Sequence, residues 1–256
     1  MTPFKQLAQI IFPPRCVICG DFLWRGPFDA GDFPNSICHD CTSGFNAIEA
    51  PFCTICGMPF NSERIENHPC EDCLRTKPFF QAAYAPYRYE GSILEAVHKL
   101  KYGQKTFVAD AVGPLLAEFV KTRFLPPEPF LTMPVPLHPK RLRERGFNQS
   151  LLLARQVAHR LNGELDFFSL IRPKYTTPQT TLSKKDRKQN VQNAFRLKTP
   201  EAVRKKNILL VDDVATTGNT LNECARVLKS GGAEAVFCVT LAKAVDYCSA
   251  GTVEFI

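Results

Sequence analysis

Two groups of residues in this chain have the types and spacing to do chemistry. The first lies in "ILLVDDVATTGNT" (residues 208–220), where four apolar residues lead into Asp212 and Asp213 and then a run of small hydroxylated residues. A strand followed by a helix start brings unpaired backbone N–H groups and the positive end of a helix dipole to one place, which suits a phosphate. Thr216, Thr217 and Thr220 add hydroxyl donors, Ala215 and Asn219 complete the turn, and Gly218 lets the backbone approach closely. Two carboxylates just ahead of the turn can accept hydrogen bonds from vicinal hydroxyls, so the pattern fits a ribose 5-phosphate. The plainer alternative is that Asp213 or Thr217 only caps a helix and Asp212 is a solvated strand end.

The second group is the cysteines. Eight of the 11 fall within residues 16–73 in four pairs, Cys16 with Cys19, Cys38 with Cys41, Cys53 with Cys56 and Cys70 with Cys73. Two thiolates separated by two residues on a tight turn can point at one ion, and two such pairs complete a tetrahedral site suited to zinc. Glycine follows the second cysteine in "CVICGD" and "CTICGM", where a turn with positive φ favours it. The intervening gaps of 18, 11 and 13 residues suit two consecutive four-cysteine sites, with interleaved pairing as the alternative. Disulfides and an iron–sulfur cluster are the competing readings; reduced thiols in a cytoplasmic chain favour zinc. His39 and His68 sit beside cysteines as substitute ligands or, more simply, as surface histidines next to complete sites. Cys224, Cys238 and Cys248 are irregularly spaced in apolar surroundings and read as core residues. So few large aliphatic residues lie in the cysteine-rich segment that two Zn2+ ions are expected to act first as structural staples.

A chain of 256 residues has room for one substantial core and a small accessory module. No apolar run approaches the roughly 20 residues needed to cross a bilayer, so no membrane insertion is expected. The opening residues lack the apolar length and cleavage site of a secretory signal, which makes the cytoplasm the expected location. Residues 1–78 carry six Lys/Arg against nine Asp/Glu, leaving 26 against 16 in the remainder, a balance of +10. Such a surplus favours phosphate-rich ligands or nucleic acid, or serves as a solvated basic surface.

Elements that would position the acids follow from periodicity. "AAYAPYRYEG" reads as a short edge strand, "SILEAVHKLKYGQK" and "DAVGPLLAEFVKTRF" as helices, and residues 130–135 as a buried strand. "FNQSLLLARQVAHRL" returns to helix, while "ILLV" and "AVFCVTLAKA" are continuous apolar strands bracketing the helix "TLNECARVLKSGG". Unbroken apolar strands alternating with helices indicate an α/β fold with a parallel sheet flanked by helices, in which ligands bind beyond the carboxyl ends of the strands. The expected division is a double zinc-ribbon module over 1–78 and the α/β domain over 79–256.

The string around Asp212 and Asp213 resembles the phosphoribosyl pyrophosphate (PRPP) motif of type I phosphoribosyltransferases. "PVPLHPKRLRERGFNQS" (134–150) and "LSKKDRKQNVQNAF" (182–195), with the cysteine-rich N-terminus, resemble the ComF family, also called GntX, of competence-related proteins. The resemblance implies that Asp212 and Asp213 hold the ribose and that Ala215, Thr216, Thr217, Gly218, Asn219 and Thr220 hold the 5-phosphate. It implies a pyrophosphate loop carrying Lys140, Arg141, Arg143 and Arg145. It also implies a catalytic loop over 172–195, with Gln179, Lys185, Arg187 and Asn190 as candidates. Mg2+ would arrive with PRPP. Hypoxanthine-type enzymes carry an aspartate at the position of Thr216, and this departure argues against a hypoxanthine or guanine acceptor. Three functions are implied: phosphoribosyl transfer to an unidentified nitrogen acceptor; binding of PRPP while handling single-stranded DNA, with Tyr84, Tyr87, Tyr89 or Phe147 as stacking faces; and a zinc-bearing adaptor of competence and DNA-processing proteins.

Overall fold

The computed structural model describes residues 13–23, 36–60, 66–102, 105–124, 129–176 and 189–245. Its centre is a six-stranded parallel sheet. The two long strands β7 (Asn207–Ala215) and β8 (Ala235–Lys243) lie in the middle and are buried along almost their whole length. On one side of them stand β3 (Phe130–Pro134) and the two-residue β4 (Glu164–Leu165); on the other, β1 (Ala82–Tyr84) and β2 (Tyr87–Arg88) both pair with β8. A separate antiparallel pair, β5 (Leu170–Ile171) with β6 (Arg196–Leu197), stands apart from the sheet.

Side-chain alternation along β7 divides the core into two layers. Leu209 and Val211 face helices α3 (Gly91–Tyr102), α4 (Phe107–Arg123) and α6 (Gln149–Arg160). Ile208 and Leu210 face α7 (Asn219–Ser230) and the segment holding Ala194 and Phe195. The helices form where apolar residues recur at helical spacing: α3 buries Ile93, Ala96, Val97 and Leu100, a single stripe. Both layers are needed, because strands this apolar cannot face water on either side.

The acids do not follow the end of β7, as the expected strand "ILLV" would have it. Pairing continues from Asp212 with Thr240 to Ala215 with Lys243, so the strand carries both carboxylates inside it. The run "VPLHPKRLRERG" differs as well. In place of a loop, residues Pro139–Arg145 form a short helix, α5, because Pro139 pre-sets the first turn and His138 Nδ1 accepts from Lys140 N at 3.1 Å. Among the described residues, no helix is long and apolar enough to cross a membrane.

The cysteine-rich segment, with its two short helices α1 (His39–Ser43) and α2 (Glu71–Arg75), covers the β1/β2 edge. Ala83 N donates to Ile55 O at 2.7 Å and Tyr84 Oη to Thr54 O at 2.6 Å, while Ile48 N donates to Pro86 O and Arg88 N to Asn46 O, both at 2.8 Å. These bonds occupy backbone groups that an open sheet edge would leave unpaired. Tyr84, Tyr87 and Tyr89, and Phe147 ahead of α6, are packed, partly buried, against the core. Gly57 lies at the closest approach: its φ is +67°, and a Cβ there would stand 2.7 Å from the Ala83 carbonyl oxygen. Gly57→Ala is expected to lower the unfolding free energy by about 1–3 kcal/mol, the usual cost of a non-glycine left-handed residue. An unchanged urea midpoint would show that the ribbon does not bear on β1 as described.

Candidate functional site

The carboxyl edge of the sheet collects polar and charged side chains from four elements. Asp212 and Asp213 are adjacent on β7 and so point to opposite faces, both almost fully buried. Asp212 Oδ1 accepts from Ser150 Oγ at 2.7 Å, reached from the first turn of α6, and from Asp213 N at 2.9 Å. Asp213 Oδ2 lies 2.7 Å from Lys101 Nζ, which comes from the last turn of α3. That contact is a close ion pair without the alignment of a hydrogen bond, so the oxygen keeps capacity for a further donor.

The two carboxyls are driven apart electrostatically. Burial, then the neighbouring Asp213 charge, pushes Asp212 up to about 7, against the pull of the Ser150 hydroxyl. Burial acts on Asp213 too, but the Lys101 ammonium outweighs it and holds that carboxyl below its ordinary range. Lys101 is pushed up in turn by Asp213 despite its own burial. Near neutral pH the site thus carries one firmly ionised acid and one on the edge of protonation.

Beyond Ala215 the chain turns through Thr216, Thr217 and Gly218 into α7. Gly218 adopts φ +73° and caps the helix with no side-chain hydrogen bond, and a Cβ there would meet nothing within 4 Å. Glycine is thus demanded by the turn itself, and the space in front of it stays open. A small depression is lined by Asp212, Ala215, Thr216, Gly218, Asn219 and Thr220. Thr217 Oγ1 is buried beside it with no hydrogen-bond partner among the described residues. An uncapped helix start and an orphaned hydroxyl are what a phosphate would satisfy.

The basic residues of α5 divide by helical spacing. Arg141 and Arg145, four apart, are partly buried, and the Arg145 charge helps hold the Asp213 carboxyl down; Lys140 and Arg143 are exposed. Arg145 Nη1 donates to Gln149 Oε1 at 2.6 Å and lies 5.6 Å over the Tyr102 ring. Lys140 lies 4.8 Å over Tyr175 and His138 packs edge-on against that ring at 5.1 Å, so His138 orders a turn and its neighbourhood. Gln179, Lys185 and Arg187 lie outside the described residues, while Asn190 stands just before Val191, which packs in the core. Lys101 and Ser150 had no local signal, since each meets its acid only through the tertiary fold.

The thiols form two sets, Cys16, Cys19, Cys38 and Cys41, and Cys53, Cys56, Cys70 and Cys73, with the sulfurs of each set all within 4.8 Å of one another. Pairing is consecutive. Backbone N–H groups of Ile18 and Cys38 point at Cys16 Sγ, and those of Ile55, Cys56 and Cys70 at Cys53 Sγ, at 3.2–3.4 Å. Such bonds support thiolates, and four thiolates in a tetrahedral group fit zinc. His39 is exposed beside Ser43 and Asp40, and His68 stacks on Phe60 at 4.2 Å; neither joins a thiol set. Cys224 and Cys238 are fully buried core residues, and Cys248 lies outside the described residues. A larger cleft, about 410 Å³ around Pro114, Lys121 and His159, opens at the other end of α6 from Ser150 and contains none of these groups.

Fold and sites together define a phosphoribosyltransferase-domain protein with a double zinc ribbon. The family described as "Double zinc ribbon domain" matches residues 7–74 and that described as "Phosphoribosyl transferase domain" matches residues 148–248. The chain is 33% identical over 233 residues to DNA utilization protein YhgH of Escherichia coli strain K12, covering 89% of this chain and 96% of that one. It is 31% identical to Competence protein F of Haemophilus influenzae, covering 90% and 97%, and 28% identical to Competence protein ComFC of Bacillus subtilis, covering 88% and 93%. The chain belongs to the competence-related ComF family.

The raised Asp212 sets a direction for stability against pH. Its ordinary value is 3.8 and its folded value about 7, so the unfolded chain ionises first and burial of the charge becomes costly as pH rises between the two. Relative to Asp212→Asn, the wild type should lose stability from about pH 4 to pH 7, by up to about 1.4 kcal/mol per unit, and level off above. Thermal melts of both proteins across that range check this; a constant difference would contradict it.

Proposed function

We propose that the chain binds PRPP at the carboxyl edge of its sheet and acts in the cytoplasm on DNA taken up during natural transformation, transferring phosphoribose to a nitrogen acceptor. The observation that carries the reading is the turn after β7. There an orphaned buried hydroxyl on Thr217 and an uncapped helix start follow directly on two buried carboxylates. The 5-phosphate would take the donors at Ala215, Thr216, Thr217, Gly218, Asn219 and Thr220. The ribose hydroxyls would donate to Asp212 and Asp213, the latter through the oxygen that Lys101 leaves with spare capacity.

In the transfer, a nitrogen lone pair attacks the anomeric carbon as the bond to the pyrophosphate oxygen breaks; pyrophosphate leaves with that electron pair and the nitrogen loses a proton. The protein must hold the ribose and stabilise the leaving charge. Arg141 and Arg145, on the partly buried side of α5, would supply that charge, and Lys185 and Arg187 are proposed to join them. Mg2+, bound chiefly by the oxygens of PRPP, would neutralise the diphosphate; the two carboxylates are already engaged by Lys101 and Ser150 and do not form a metal cage by themselves.

A specific observation favours a second reading, in which the chain handles single-stranded DNA. Tyr102 is 70% and Tyr175 45% exposed, and each ring has an α5 cation beside it. Exposed rings interleaved with arginine and lysine suit stacking of bases above a phosphate track. A zinc-bearing adaptor for DNA-processing proteins would need neither feature.

Thr217→Val is expected to weaken PRPP binding about 10-fold in calorimetry, and Asp213→Asn by at least as much, with far-UV circular dichroism unchanged. Both should lower transformation frequency in the native host. Full affinity in both variants would remove the PRPP reading. Acceptor-dependent pyrophosphate release from PRPP and a pool of bases and amines tests transfer itself, and tight binding without turnover favours the DNA-handling reading.

A further inference from the structure

The two thiol sets are alike in ligands and unlike in surroundings. In the first, Cys19 is exposed and Cys38 partly buried, while Cys16 and Cys41 are buried. In the second no cysteine is exposed: Cys53 and Cys73 are buried, Cys56 and Cys70 partly so. The two accessible thiols of the first set are also close together, with Cys19 Sγ 3.6 Å from Cys38 Sγ. Among the described residues each of these sulfurs accepts one long N–H bond, from Asp21 N at 3.5 Å and from Cys41 N at 3.4 Å. Cys53 in the second set accepts three, at 3.2–3.4 Å.

Charge separates the sets further. Lys243, at the end of β8, is buried; burial disfavours its ammonium, and all four thiols of the second set favour it. A zinc ion held by four thiolates is a dianion, and a buried ammonium beside it lowers the nucleophilicity of the sulfurs. The first set has the Asp21 carboxylate beside its exposed member instead. Arg15, also close by, directs its guanidinium to the Gly20 carbonyl and the Phe22 ring. Metal-bound thiolates are already deprotonated, so their reactivity towards an oxidant follows exposure and local charge.

We propose that Cys19 and Cys38 form an oxidation site, at which hydrogen peroxide converts the pair to a disulfide and frees the first zinc, while the second set keeps its own under the shield of Lys243. The Cys19 thiolate attacks the peroxide O–O bond, giving a sulfenic acid and releasing hydroxide. The Cys38 thiolate then attacks that sulfur and displaces a second hydroxide. Two thiolates thus lose two electrons, and the peroxide with two protons becomes two waters. Only Cys16 and Cys41 are then left to hold the ion. The site stands whether or not the chain binds PRPP. Its effect would reach the sheet, because Ile18, between Cys16 and Cys19, is fully buried in the core and its carbonyl accepts from Lys99 on α3, two residues before Lys101.

The test treats the full zinc-loaded chain with hydrogen peroxide, follows zinc release with a chromogenic chelator and maps disulfides by mass spectrometry of unreduced peptides. One zinc per chain should leave first, with Cys19 joined to Cys38, and the second should follow about 10-fold more slowly. Lys243→Met should bring the second release close to the first. Asp21→Asn, which leaves every cysteine of both sets in place, should slow the first release and leave the second unchanged. Should Lys243→Met fail to load zinc, the order of release and the Asp21→Asn rates decide. Simultaneous release in the wild type, a first disulfide without Cys19, rates untouched by Asp21→Asn, or no release at a peroxide level that oxidises free cysteine would each overturn the proposal.

Discussion

Two neighbouring carboxylates buried at the end of one strand would repel each other and resist desolvation, and the surrounding structure is arranged around that difficulty. Strand alternation sends Asp212 and Asp213 to opposite faces, and each then meets a different partner, a hydroxyl for one and an ammonium for the other. The solution draws on three elements at once. Removing either partner would leave a buried acid uncompensated, the condition that costs most in a protein interior.

The zinc ribbons enter this arrangement through packing. Lys101 is held in place by α3, and α3 is fixed at both ends by the cysteine-rich module. At its start, Gly91 (φ +54°) sits so close to Gly44 that a Cβ would stand 2.8 Å from the Gly44 carbonyl oxygen. Further along, Lys99 Nζ donates to the carbonyl of Ile18, inside the first thiol knuckle. The same module occupies the β1/β2 edge of the sheet. The thiol knuckles, edge strands, α3 and Asp213 therefore form one mechanically continuous path, and the two family matches describe parts of one structure.

Local features were legible in the residues, and tertiary ones were not. The strand–turn–helix of "ILLVDDVATTGNT" is contiguous, so its periodicity and its glycine reveal it directly. Cysteine spacing likewise carries the knuckles, whose glycines Gly20 and Gly57 do take positive φ. Ser150 lies 62 positions from Asp212 and Lys101 still further from Asp213; nothing near them signals a partner. Helix α5 could have been read from Pro139 at a first turn, but the family resemblance implied a pyrophosphate loop there. The segment around Tyr87 read only as a short edge strand because the cover on that edge comes from the preceding module.

The central claim is that the turn after β7 receives the 5-phosphate of PRPP. Phosphorus-31 magnetic resonance reports this directly, because the monophosphate and the diphosphate of PRPP resonate separately. Titrating the zinc-loaded chain into PRPP should broaden and shift the monophosphate line in the wild type, and this response should vanish when Asp212 and Asp213 are both replaced by asparagine. A monophosphate line that stays sharp and unshifted in the presence of excess wild-type protein would contradict the account.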